Sequence, residues 1–109
     1  MTKIGAADTP AEEPNLETYK TELDKSSKKF LQALEQYNRS NSSKEQEHLQ
    51  SLMDQQMAVI QSAIKELSQH GLHKEGVIVV KDYMDYKDEK TEENYTCLHN
   101  DMTTLRDSL

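Results

Sequence analysis

Histidine and cysteine are the side chains here whose spacing could hold a metal. His70 and His73 are three residues apart, and Cys97 and His99 two apart. Thiolate and imidazole are the ligand types zinc prefers. The pairs lack the Cys-x2-Cys framework of structural zinc sites, and Gly71 falls between the two histidines. The plainer reading is histidine exposed at a helix end, and no metal is expected. Glu45-x-x-His48 is half of a carboxylate-bridged di-iron motif. There is no second Glu-x-x-His, and Glu45 suits a helix cap better.

The segment Asp82 to Glu93 is densely acidic and has the length and closing glutamate of a calcium loop. The sixth position of such a loop requires glycine, and the third and fifth require oxygen ligands. Here they are Lys87, Met84 and Tyr86, so an EF-hand is excluded. The segment can instead offer a docking face for a basic partner, with Tyr83 and Tyr86 as aromatic anchors. Against that stands a solvated helix face with Lys81, Lys87 and Lys90 in weak ion pairs. Cys97 immediately precedes a core position, Leu98, and is expected to be a buried or half-buried structural thiol. A catalytic thiol would need a base and an activating environment, and His99 belongs to another side of the helix. No Ser/His/Asp arrangement, paired-carboxylate cleft or glycine-rich phosphate loop can be read. No catalytic residue and no cofactor are expected.

The elements that carry these side chains are helical. Residues 1–14 contain both prolines and no apolar periodicity, and read as a disordered lead. From Asn15, a capping residue, Leu16, Leu23, Phe30 and Tyr37 recur every seven residues, with Tyr19, Ser26, Ala33 and Leu34 filling the stripe. This spacing predicts an amphipathic helix over about 15–39. Residues 38–43 are rich in Asn and Ser and read as a loop. Ser42 with Glu45 then forms a capping box. A second helix over about 43–70 carries the stripe Leu49, Met53, Met57, Ile60, Ile64 and Leu67, flanked by Leu52, Val59 and Ala63. Gly71 followed by Leu72 is the signature of a Schellman cap.

The third region, about 75–109, opens with Val77-Ile78-Val79-Val80. β-Branched residues favour strands, but a single strand would have no partner here, so helix is expected. The stripe Val77, Val80, Met84 supports it. A second stripe runs through Tyr95, Leu98, Met102, Leu105 and Leu109, and Thr91 can cap a fresh helix. Either one long helix or two with a break near 88–91 follows. The fold class is all-α: an antiparallel helical hairpin extended by a C-terminal helix, a three-helix bundle with coiled-coil-like packing, forming one domain over 15–109.

Composition limits the function. Of 109 residues, 34% are hydrophobic and 30% charged, and Leu, Ile, Val and Phe number 20. So thin a core makes a partner or a second copy the expected source of further apolar burial. The net charge is −7, of which residues 74–109 contribute −4, with nine acidic and five basic groups. Such a chain repels phosphate backbones and anionic membranes, so nucleic acid and membrane insertion are not expected. The single cysteine excludes an intramolecular disulfide and fits a reducing compartment. No signal-like run or membrane-length stretch is present. The sequons at Asn38, Asn41 and Asn94 are therefore taken as accidental. A cytoplasmic location is expected, with export lacking a cleaved signal as the alternative.

These features point to a non-catalytic protein–protein interaction module: an adaptor, chaperone or assembly factor. Its partner is another protein or a second copy. The contacts are expected on Met53, Met57, Ile60, Ile64, Leu67, Tyr83, Tyr86, Leu98, Met102 and Leu105. The alternative is a structural or secreted helical subunit of a bacterial secretion system. In size, acidity, N-terminal lead and hairpin, the layout resembles that of small type III secretion proteins and of helical secretion substrates of about this length. The Trp-x-Gly hairpin motif of the latter is absent, since the chain has no Trp. A metal-dependent enzyme is the remaining class, and metal content would decide it.

Overall fold

A computed structural model describes residues 16–109. The lead expected over 1–14 and the cap expected at Asn15 lie outside the described residues. Four α-helices are seen among the described residues: α1 (Leu16–Arg39), α2 (Ser43–Gln69), α3 (Val77–Asp88) and α4 (Glu92–Asp107). A single 3-10 turn, Lys74–Gly76, leads into α3. The fold is all-α, and its centre is the antiparallel hairpin of α1 and α2.

Each helix start and stop has a local cause. Ser42 has extended backbone, and its side chain accepts a 3.2 Å hydrogen bond from the Glu45 N–H, which satisfies an otherwise unpaired first-turn donor. At the other end of α2, Gly71 has φ +76°. The Leu72 N–H bonds the Leu67 carbonyl at 2.9 Å and the Gly71 N–H bonds the Ser68 carbonyl at 3.0 Å. That pair of bonds is the Schellman cap the sequence predicts.

The third region is two helices, broken where the sequence offers a break near 88–91, and the bundle counts four helices among the described residues. α3 ends at Asp88, where Glu89 turns extended. Thr91 then caps α4 by accepting from the Asn94 N–H at 3.1 Å. The Asn94 side-chain amide donates to the carbonyls of Glu89 (2.9 Å) and Asp85 (3.3 Å). It thereby satisfies acceptors that the end of α3 leaves open. The valine-rich run 77–80 is helical, as expected.

All connections are short, so neighbouring helices run antiparallel. Gly76 meets Ile64, and Lys87 meets Asp54, so α3 returns along α2. His99 reaches Glu35 at 2.9 Å and Arg106 reaches Asp24 at 3.0 Å, so α4 runs back along α1. The core lies between the four helices. α1 contributes Leu23, Phe30, Leu31 and Leu34, and α2 contributes its whole predicted stripe. Ser26, Ser27 and Ala33 are small and buried on α1. The buried Ser27 hydroxyl donates to the Asp24 carbonyl at 3.0 Å, which avoids an unsatisfied polar group.

On α3 the packed face differs from the expected one. The spacing Val77, Val80, Met84 is that of a helix face, but the buried residues are Val79, Tyr83 and Tyr86. Val77 is 64% exposed and Met84 65% exposed. The tyrosines win because they offer more area and find ring partners: Phe30 lies edge-on to Tyr83 at 5.0 Å, and Tyr37 to Tyr86 at 6.4 Å. Aromatic pairs of this geometry add stability beyond their burial.

Candidate functional site: the groove between α2 and α3

The side that α3 turns toward α2 splits into a polar clasp and an open apolar channel. In the clasp, the Tyr83 hydroxyl donates to Asp54 Oδ1 at 2.5 Å and accepts from Gln50 Nε2 at 2.7 Å. Lys87 Nζ lies 3.1 Å from the same Asp54 oxygen and 5.3 Å from the centre of the Tyr83 ring. Burial pushes the Tyr83 phenol well above its ordinary range, and the bond to Asp54 and its charge push it further. It therefore stays a neutral donor. For Asp54, burial alone would raise the carboxyl. The bonds from Tyr83, Lys87 and Gln50 and the charge of Lys87 outweigh that and leave it below the usual value.

Beside the clasp, two contiguous depressions of about 340 and 280 Å³ share Gln61 and Val80. Met57, Ala58, Ile64, Val77, Val80 and Met84 supply their apolar surface, and Asp54, Tyr83 and Lys87 close one end. Lys65 and Ser68 border the other. Depressions of about 400 and 470 Å³ also lie along the first turns of α1. Charged side chains and threonines line them, with Leu109 in one.

The residues expected to contact a partner are placed elsewhere. Met53, Met57, Ile60, Ile64, Leu67, Tyr83, Tyr86, Leu98, Met102 and Leu105 are all buried in the bundle's own core. α3 and α4 fold back and cover the stripe that a two-helix hairpin would have left open, so these positions are filled within the fold. Only Met57, Ile64 and Tyr83 of the ten also border the groove. The aromatic anchors expected at Tyr83 and Tyr86 face inward, and burial with neighbouring tyrosines pushes the Tyr86 phenol up to about 12. Sequence reasoning missed the groove's own residues, Ala58, Gln61 and Lys65. The available signal was that Val77 and Met84 share a face which the larger Tyr83 and Tyr86 do not.

The candidate ligands also separate. His99 bonds Glu35 on α1. The His73 ring is largely covered and lies 3.3 Å from Ser108 Oγ and 3.8 Å from Glu75, so it is not the exposed histidine expected. Cys97 is exposed, which corrects the expectation of a buried thiol. The inward face of α4 is Leu98, Met102 and Leu105, and one residue before Leu98 the helix has turned about 100° away. Among the described residues no group of three or more His, Cys, Asp or Glu is placed to hold a metal ion. No described helix is long and apolar enough to cross a membrane. Comparison with protein families, curated proteins and solved structures yields no match.

Proposed function

We propose that the chain is a non-catalytic protein-binding module that receives a short amphipathic helix of another protein in the α2–α3 groove. One observation carries the reading. Val77 and Met84 lie open beside half-buried Val80 on one face of α3, above a floor of Met57 and Ala58, while the other long apolar stripes are covered in cis. Apolar i, i+3, i+7 anchors laid into a groove are a recurring mode of helix recognition. Methionine adapts to such contacts.

The dimensions favour a helix over a second copy. From Val77 to Lys87 the groove follows eleven residues of α3, which span ~15 Å at 1.5 Å per residue step. That matches about three turns of a partner helix. A stable dimer buries about 800 Å² on each partner, far more than a strip of three side chains offers. At one end Asp54 already pairs with Lys87. At the other, Lys65 is exposed and suits an acidic group on the partner helix.

The test uses the wild-type chain and a V77K/M84K variant as paired baits in the native cell. A partner recovered by the wild type alone is identified, and its helical segment is titrated against both purified proteins. The variant should keep its helical spectrum and unfolding midpoint and bind at least tenfold more weakly, about 1.4 kcal/mol. Equal binding to both proteins removes the groove from consideration. A wild-type dimer in sedimentation that the variant abolishes assigns the groove to a second copy instead.

A further inference from the structure

The start of α1 and the Val77 end of the α2–α3 groove lie at the same end of the bundle. Glu17 and Leu109 line one depression there. Ser108, next to Leu109, reaches the His73 ring at 3.3 Å. His73 precedes the Lys74–Gly76 turn, which delivers Val77 and with it the groove. Residues 1–15, which lie outside the described residues, therefore join the bundle at that end. Packed helices stand about 8–10 Å apart, so the groove is within ~20 Å of α1 across the bundle. The twelve residues from Ile4 to Asn15 can span ~40 Å at ~3.3 Å each. That reach covers the width of the bundle and the ~15 Å length of the groove.

The order of side chains along this segment matches the order along the groove. Counting back from Leu16, the acids Glu13, Glu12 and Asp8 come first, then the small Ala7, Ala6 and Gly5, then Ile4 and Lys3. In the groove, exposed Lys65 stands at the Val77 end. Met57, Ala58, Val80 and Met84 make the apolar middle. Asp54 closes the far end, and exposed Asp88 follows Met84 by four residues, on the same helix face. Acid thus meets base at the entrance, small residues cross the shallow middle, and Ile4 and Lys3 arrive at Met84 and Asp88. One isoleucine is a weak anchor between separate molecules. A tether holds it at an effective concentration on the order of millimolar, where a weak contact suffices.

We propose that residues 3–13 seat in the α2–α3 groove of their own chain, with Ile4 against Met84, and gate it. This rests on the groove being the binding surface proposed above, and it names what regulates that surface. A partner helix must displace the segment, and its apparent affinity falls in proportion to the fraction of chains with an open groove.

The test uses the full chain with Cys97→Ser and Thr2→Cys, so that a nitroxide on the single thiol reports where residue 2 lies. Cys97 is exposed, and its replacement leaves the core intact. Paramagnetic broadening is read on methionine and leucine methyls. A seated segment broadens Met84 and Met57 more than Leu16 and Leu109, which stand where the segment joins the bundle. Adding Ile4→Ser should move the strongest broadening to Leu16 and Leu109. Strongest broadening at Leu16 and Leu109 without that substitution overturns the gate, as does an Ile4→Ser pattern that still peaks at Met84. Broadening of Met84 in a mixture of tagged chains with untagged, methyl-labelled chains also overturns it, because the contact then belongs to a second copy. The groove itself is judged separately. Equal partner capture by the wild type and V77K/M84K sinks the binding surface even when the segment is seated, whereas an unseated segment beside capture by the wild type alone sinks only the gate.

Discussion

The Tyr83 hydroxyl on α3 donates a 2.5 Å hydrogen bond to Asp54 Oδ1 on α2, across 29 residues of sequence. The same ring packs edge-on against Phe30 of α1. One side chain thus ties three helices together through two kinds of contact, and Tyr83→Phe separates them. The variant keeps the ring and leaves Asp54 and Gln50 each short of a partner. It should lower unfolding stability by about 1–2 kcal/mol, discounted toward the lower figure because Asp54 is exposed enough for water to replace part of the bond. The carboxyl of Asp54 is held below its ordinary value. Its share of the stability is therefore present above about pH 4 and lost as the pH falls below it. Urea titrations should show the gap between wild type and Tyr83→Phe narrowing in acid. A constant gap would assign the bond no charge assistance.

The two glycines of the α2–α3 connection are needed for different reasons, and substitution separates them. Gly71 has φ +76° and open space where a Cβ would go. Gly71→Ala should cost about 1 kcal/mol, the ordinary penalty for an L-residue in the left-handed region. Gly76 has ordinary helical backbone, but a Cβ there would lie 2.9 Å from Ile64 Cδ1 and 3.0 Å from its Cγ1. Gly76→Ala should cost about 1–3 kcal/mol through overpacking. Ile64→Val removes the nearest clashing atom, so Gly76→Ala should cost less in the Ile64→Val background than in the wild type. A double-mutant cycle measures this directly. Additive effects would mean that the backbone, and not the side chain, yields.

How much was legible follows from which forces act locally. The caps at Ser42, Gly71 and Thr91 depend on one side chain or one φ angle, and all three formed where the sequence places them. The six-residue stripe of α2 is equally local in pattern, and every member is buried. The face of α3 was not legible. Val77, Val80 and Met84 share a face, but Val79, Tyr83 and Tyr86 share another. The choice between them is made by Phe30, Tyr37, Asp54 and Gln50, which belong to other helices. The same ambiguity hid the groove, because an open stripe can be recognised only after its competitor is known to be buried. The exposure of Cys97 required the orientation of α4, which Glu35 and Asp24 help to fix through His99 and Arg106.

Core and groove make opposite demands on methionine, which gives a sharp test of their assignment. Met53 is fully buried at the centre of α2, and Met84 is 65% exposed on α3. Met53→Ala removes packing on all sides and should cost about 2–5 kcal/mol, with the spread set by how far the cavity collapses. Met84→Ala touches little within the fold and should change stability by no more than about 0.5 kcal/mol. Chemical unfolding of the two variants measures both. The roles reverse for recognition. A folded Met84→Ala protein should bind the partner helix more weakly, while a Met53→Ala protein, at temperatures where it stays folded, should bind it with little change. Weakened binding from Met53→Ala alone would show that the bundle opens to expose its core stripe to the partner, and the module would then act by exchange of helices instead of by a preformed groove.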